Sequence, residues 1–184
     1  MFEKSLIEQC SSTLAGLKPA NLFSYTGPDR ELVPEYIRFW NQKLNPRGVF
    51  LTVLHRGGTH ALVYVYRKGT LARELARPGA ADFLAGYGYD CSDLSACISL
   101  LRDRIARAGA FPHEIGLFLG YPLEDVTEFI KNRGQNCKCC GFWKVYSNEG
   151  ETKKLFTKYV KCRQIYTRLF CGGRSVVQLT IAAS

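Results

Sequence analysis

VFLTVL at residues 49–54 and ALVYVY at residues 61–66 form the clearest structural pattern in this chain. Both runs are rich in β-branched and aromatic residues, which favour β-strands. The short connection between them contains Gly57 and Gly58, and glycine suits the tight turns that join antiparallel strands. The pattern therefore predicts a β-hairpin, around which the rest of the chain can be interpreted.

Apolar residues recur at helical spacing on both sides of the hairpin. This spacing predicts helices over the following segments: 2–17, 31–44, 69–87 in two pieces broken at Pro78, 93–109, 122–133 and 151–171. Asp93 is expected to cap the start of its helix and Gly109 to close the end, because these residue types suit those positions.

Two further runs predict a second sheet element. IGLFL at residues 115–119 and FWKVY at residues 142–146 suggest buried strands on either side of helix 122–133. Such a crossover joins parallel strands and is almost always right-handed. With the hairpin it predicts an α+β (or α/β) fold, a mixed sheet of about four strands flanked by five to seven helices. The length fits a single domain, 1–184.

The expected location follows from what the sequence lacks. The N-terminal residues have no apolar core of the kind a signal peptide needs, and no stretch reads as a membrane helix. We therefore expect a cytoplasmic protein with no membrane partner. Thiols are reduced there, so the eight cysteines are expected to be core residues, metal ligands or reactive thiols rather than disulfides.

Three of these cysteines, Cys137, Cys139 and Cys140, lie within four residues. His113 precedes the first predicted strand of the crossover, and parallel strands begin at the same edge of a sheet, so His113 should stand near the three thiols. Sulfur and imidazole are ligands of zinc and iron. This predicts a metal-binding or thiol-redox site. The alternatives are cysteines that pack beneath the sheet, and a reactive thiolate favoured by neighbouring lysines.

Cys10 supports a different hypothesis. A thiol near the start of a helix, with His60 or His113 as a base, is typical of the nucleophile of a hydrolase or transferase. Cys10 also falls on the apolar stripe of helix 2–17, where it would simply be a core residue. Whether the protein is an enzyme stays open.

The net charge of +9 is concentrated in the C-terminal part, 131–184, which holds 11 Lys and Arg residues against Glu149 and Glu151. Such a field attracts anions, so the predicted partners are nucleic acid or an acidic protein. Aromatic residues interleave with the cations, as in single-strand-binding proteins. The same spacing describes an amphipathic helix with a solvated basic face. A non-catalytic adaptor that uses this basic helix is the third functional alternative.

Four stretches resemble the motifs of one protein family: TLAGLKPANLFS at 13–24, YVYR at 64–67, PHEIGLFLGYPLEDV at 112–126 and NCKCCGFWKVY at 136–146. The family is an uncharacterised domain of unknown function (DUF3793-like), found mainly in anaerobic Firmicutes. The resemblance implies a bacterial cytosolic protein and supplies no reaction. It also implies a neighbourhood of iron-uptake and flavodoxin genes, which favours a metal or redox role and an acidic, flavodoxin-like partner. Ser12 stands where the family pattern has proline.

Overall fold

The computed structural model describes residues 1–107 and 111–182. This part contains nine α-helices, two 3-10 turns and five β-strands. In chain order the elements are α1 (Phe2–Leu14), β1 (Ala20–Tyr25), a 3-10 turn (Arg30–Leu32), α2 (Val33–Leu44), a 3-10 turn (Asn45–Arg47), β2 (Val49–Arg56), β3 (Ala61–Arg67), α3 (Lys68–Leu75), α4 (Pro78–Ala85), α5 (Leu94–Arg107), α6 (Ile115–Phe118), α7 (Leu123–Lys131), β4 (Cys139–Cys140), β5 (Lys144–Val145), α8 (Glu149–Cys171) and α9 (Val176–Leu179). None of the helices within these residues has the length and hydropathy needed to span a membrane.

The main sheet has three antiparallel strands in the order β1-β3-β2. The predicted hairpin is confirmed as β2 and β3, and Val63 of β3 lies opposite Val53 of β2. On the other side of β3, Val63 lies opposite Phe23 of β1. The sequence analysis did not predict β1, because its six residues follow a proline and mix polar with apolar side chains.

Hydrophobic clusters cover both faces of this sheet. Along β3, Val63 and Val65 pack on one side with α1, α2 and α9, whereas Tyr64 packs on the other side with α3 to α7. This is the period of two expected of a strand. The small β4–β5 hairpin packs against α8 through a third cluster that contains Trp143 and Tyr159.

The α+β class is confirmed, but the predicted parallel crossover is wrong. Residues 115–119 contain helix α6, not a strand, and β5 pairs antiparallel with its neighbour β4. All five residues of 115–119 are buried, and an apolar run with no polar face fits a buried helix as well as a buried strand. Gly116 allows α6 to pack closely on α7, since a Cβ at this position would lie 2.7 Å from Val126 Cγ2.

The helix predictions are otherwise close to the structure. The break at Pro78 separates α3 from α4, and the Asp93 carboxylate accepts hydrogen bonds from the backbone N–H groups of Ser95 and Ala96 at 2.8 and 3.1 Å. The predicted end at Gly109 lies outside the described residues. The described part holds more helices than the five to seven predicted, because α6 and α9 are single turns too short to show a periodic pattern.

The chain after α1 turns sharply inward. Gly16 adopts the left-handed conformation (φ 72°), and the backbone N–H groups of Leu17 and Lys18 both donate to Ser12 O, at 2.9 and 3.2 Å. Glycine is the usual residue for this type of helix end. The guanidinium of Arg67, on β3, donates to the carbonyls of Thr13 and Leu14 and so satisfies the last turn of α1. This turn directs Lys18 into the protein.

Candidate functional site

The β4–β5 hairpin, which carries the cysteine-rich loop, is anchored by the buried carboxylate of Asp125 at the start of α7. Asp125 accepts hydrogen bonds from Trp143 Nε1 at 2.7 Å, from Tyr146 N at 2.8 Å, and from Ser147 N and Oγ at 2.8 Å each. Burial alone would raise the pKa of this carboxyl, but the hydrogen bonds outweigh burial and hold its pKa below the ordinary value. One ionised side chain therefore fixes the hairpin on the helical layer.

The hairpin separates the cysteines from one another. Cys139 and Cys140 are consecutive residues of β4, so their side chains point to opposite faces. Cys139 packs against the cluster that contains Trp143, whereas Cys140 is exposed and lines a cavity on the other side. Cys137 lies before the strand and is half-buried.

The cavity beside Cys140 has a volume of about 330 Å³. Its walls come from the segment before α6, from α6 and α7, and from the β4–β5 hairpin. Apolar and aromatic side chains predominate, and the full lining is Phe111, His113, Ile115, Gly116, Leu119, Tyr121, Asp125, Val126, Phe129, Cys140, Trp143 and Lys144. Volume and lining are those of small-molecule sites in proteins, which are mostly apolar and carry a few polar groups.

His113 and Cys140 line this same cavity, although they do not meet through the parallel strands that were predicted to bring them together. In the part of the chain that the structure describes, residues 115–118 are helical and β5 pairs antiparallel with β4, so the predicted parallel strands are not formed. Instead, the turn from α6 into α7 folds the chain back, and the His113 ring lies edge-to-face on Phe129 with centroids 5.1 Å apart. An imidazole and a thiol therefore share one solvent-accessible pocket.

The four predicted metal ligands are not assembled. Within residues 1–107 and 111–182, no group of three or more His, Cys, Asp or Glu side chains is placed to hold a metal ion. The opposed directions of Cys139 and Cys140 give the physical reason. The residues in place do not fit the expected zinc or iron site.

Cys10 has the surroundings of a core residue. Its side chain is fully buried on α1, and burial raises the pKa of the thiol far above its ordinary value, although nearby Lys18 lowers it slightly. His60 packs against His55 near the hairpin turn, and His113 lines the cavity described above. In the described part of the chain no hydrogen bond joins Cys10 to either histidine, so the geometry of an activated nucleophile is not seen.

Aromatic residues that the sequence analysis assigned to the core or to other motifs form much of the cavity wall. Tyr121 stacks on Trp143 with ring centroids 4.7 Å apart, and its hydroxyl donates to Phe142 O at 3.2 Å. Burial raises the pKa of Tyr121 to about 12, so the phenol stays neutral at physiological pH. Lys144, a charged member of the same lining, donates from Nζ to Gly134 O at 2.6 Å. The available signal was the aromatic residues of the two motifs, of which Tyr121 in GYP and Trp143 in NCKCCGFWKVY line the cavity.

The basic face of α8 is exposed to solvent, which agrees with the interpretation of this segment as an amphipathic helix. Lys153 and Lys154 are exposed and pair with Glu149 and Glu151 at 2.6 and 2.7 Å. Tyr159 points into the protein and is buried. Binding of nucleic acid or of an acidic protein to this helix stays a prediction.

The fold and the cavity together define an α+β protein with a pocket of the size that small molecules occupy. Residues 6–180 match the family model described as "Protein of unknown function (DUF3793)", so the chain belongs to this family. This confirms the resemblance of the four sequence motifs. A search of the curated proteins and a search of the solved structures found no match.

Proposed function

We propose that this protein binds a small aromatic or otherwise apolar molecule in the cavity beside Cys140, which supplies a reactive thiol at that site. The observation that carries the proposal is the cavity itself: about 330 Å³, with walls that are mainly apolar. Apolar surface left in contact with water is unfavourable, and a ligand that displaces that water gains about 25 cal/mol per Å² of buried apolar surface.

The polar groups of the cavity are few and lie where they could orient a ligand. His113 supplies an imidazole and Lys144 an ammonium group, both exposed at the cavity. The Asp125 carboxylate already accepts hydrogen bonds from the hairpin, so we assign it a structural role and not a role in ligand binding. This distribution supports a ligand with an apolar body and one or two polar substituents.

Cys140 is the thiol of the cysteine-rich loop that the geometry favours for chemistry. It is exposed, it lines the cavity, and it lies opposite Lys144 in the hairpin register. A nearby cation and solvent access are the conditions under which thiols react. Among the thiols of the cysteine-rich loop, the proposal therefore rests on Cys140.

Differential labelling tests this proposal within one molecule, because Cys171 at the end of α8 is also exposed and serves as the internal control. We expect the ratio of labelling rates, Cys140 over Cys171, to be about tenfold higher with an aromatic disulfide such as dithiodipyridine than with iodoacetamide. Burial of about 60 Å² of aromatic surface in the cavity would give about 1.5 kcal/mol, which is about tenfold. Peptide mass spectrometry after brief exposure measures both rates.

Competition with naphthol separates binding from intrinsic reactivity. Naphthol in the cavity should slow the labelling of Cys140 by the aromatic disulfide and leave Cys171 unchanged. Equal ratios for the two reagents, together with no protection by naphthol, would contradict the proposal.

A further inference from the structure

A second cavity lies between α1, β1 and α8 and differs in character from the first. It has a volume of about 170 Å³ and a mainly polar lining, to which Glu8, Lys18, Asn21, Tyr121, Tyr159 and Arg163 contribute. Leu119 and Tyr121 also line the first cavity, so these two side chains form a shared wall.

The unusual member of this lining is Lys18, whose side chain is only 4% exposed. A buried ammonium group is costly unless it is paired with a negative charge or hydrogen-bonded. Within the residues that the structure describes, Lys18 Nζ makes neither an ion pair nor a hydrogen bond. Its one polar contact is with the face of the Tyr121 ring, 5.1 Å from the centroid.

The charges around Lys18 do not neutralise it. Cys10 lies close, but its thiol is protonated because burial raises its pKa. Glu8 lines the same cavity and forms an ion pair with Lys4 at 3.8 Å, and within the described residues neither an ion pair nor a hydrogen bond joins it to Lys18. Tyr121 and Tyr159 are neutral phenols, since burial raises the pKa of each to about 12. Burial in turn lowers the pKa of Lys18 to about 8.

Two further donors line the cavity. Asn21 turns its Oδ1 toward α1, where it accepts from the hydroxyls of Ser12 at 3.0 Å and Thr13 at 2.6 Å. Its Nδ2 donates to no group in the described part of the chain and remains available to the cavity. Arg163, on α8, places an exposed guanidinium at the cavity and forms no ion pair within residues 1–107 and 111–182.

We propose that this second cavity is a binding site for a compact oxyanion, the carboxylate or phosphate group of a small molecule, with Lys18 as the counter-ion and Asn21 and Arg163 as hydrogen-bond donors. An oxyanion there would supply the negative charge that the buried ammonium lacks, and guanidinium groups bind carboxylates and phosphates through paired hydrogen bonds. The volume of about 170 Å³ fits one such group with a short substituent. The proposal does not rest on ligand binding at Cys140, although the two cavities share the wall formed by Leu119 and Tyr121.

Calorimetric titration of the full chain tests the site with inorganic phosphate in one arm and acetate in the other, at constant ionic strength. We expect saturable binding of at least one of them, and the stronger of the two identifies the class of oxyanion. Lys18→Met should weaken that binding at least tenfold, and Arg163→Gln by a smaller factor. Lys158→Met, which removes an exposed cation of the same helix as Arg163 but outside the cavity lining, is the matched control and should leave binding unchanged.

Two readouts keep the test decisive. Sulfate, whose charge is constant near neutral pH, should bind progressively less tightly as the pH rises through about 8, because the ammonium of Lys18 then loses its proton. Saturating phosphate or acetate should raise the thermal midpoint of the wild type but not that of Lys18→Met. Methionine suits the buried position, so this variant is expected to fold. Absence of saturable binding by all three anions, or equal binding by wild type and Lys18→Met, would overturn the proposal.

Discussion

Replacement of Asp125 by asparagine is expected to lower the free energy of unfolding by about 3 kcal/mol. The carboxylate is 2% exposed and accepts four hydrogen bonds from the hairpin. In the variant, an amide NH₂ group would face either Trp143 Nε1 or the backbone N–H groups of Tyr146 and Ser147. Two buried hydrogen-bond donors would then face each other without an acceptor. The N–H and O–H groups of the hairpin would also lose the negatively charged acceptor to which they all donate.

Urea denaturation followed by the fluorescence of Trp143 and Trp40 measures this loss. Glu124→Gln is the matched control, because Glu124 is the preceding residue of α7, carries the same charge and is exposed. The control should change stability by less than about 0.5 kcal/mol. A loss below about 1 kcal/mol for Asp125→Asn would show that the hydrogen bonds of this carboxylate do not anchor the hairpin.

The Asp125 effect should also depend on pH. The folded protein holds the pKa of this carboxyl below its ordinary value of 3.8, so the ionised form is favoured in the folded state. Its stabilisation is complete above that ordinary value and declines as the pH falls through the lower, folded-state pKa. The difference in stability between the wild type and Asp125→Asn should therefore be largest near neutral pH and shrink in acid. A difference that grows in acid would contradict this assignment.

The second large effect is expected at Arg67, which is 5% exposed. Its Nε donates to Thr13 O at 2.6 Å, and its Nη2 donates to Leu14 O at 2.6 Å and Ile181 O at 2.7 Å. One guanidinium thus ties β3 to the end of α1 and to the C-terminal segment. Arg67→Met would leave three carbonyls without this donor, and we expect a loss of about 3 to 4 kcal/mol.

Differential scanning calorimetry and urea denaturation of Arg67→Met measure that loss. Arg73→Met, at an exposed position on α3, removes the same charge from the surface and should be nearly neutral. If the two variants were equally stable, the guanidinium of Arg67 would have no structural role beyond its charge. A larger loss for Arg67→Met than for Asp125→Asn would indicate that the end of α1 matters more to folding than the small hairpin does.

Local patterns in the sequence were enough to predict most of the helices and the central hairpin. VFLTVL and ALVYVY are almost continuously apolar, as expected of strands that are covered on both faces, and Val63 and Tyr64 do lie on opposite sides of the sheet. The Asp93 cap and the break at Pro78 depend on groups only a few residues apart in the chain. Such features can be predicted from sequence because the backbone groups involved lie only a few residues from the side chain that determines them.

Local patterns did not predict the structure of segments whose packing or pairing partners are far away in the sequence. The pattern of IGLFL at 115–119 is compatible with a strand or with a buried helix. In the folded protein, residues 115–118 are helical, and Gly116 packs closely against Val126 of α7. β1 is a strand because β3 pairs with it along its whole length. Neither fact is visible in the segment itself.

The α+β class, the central hairpin, the position of the cysteine-rich loop and the one-sided charge could all be predicted from local patterns of residues. Only the folded chain shows that Cys139 turns inward while Cys140 opens onto a cavity with His113, and that Lys18 is buried without a counter-ion among residues 1–107 and 111–182. The physical reason is the range of the interactions. Periodicity and capping depend on neighbours in the chain, whereas a cavity and the charge balance inside it depend on segments that meet only when the chain is folded.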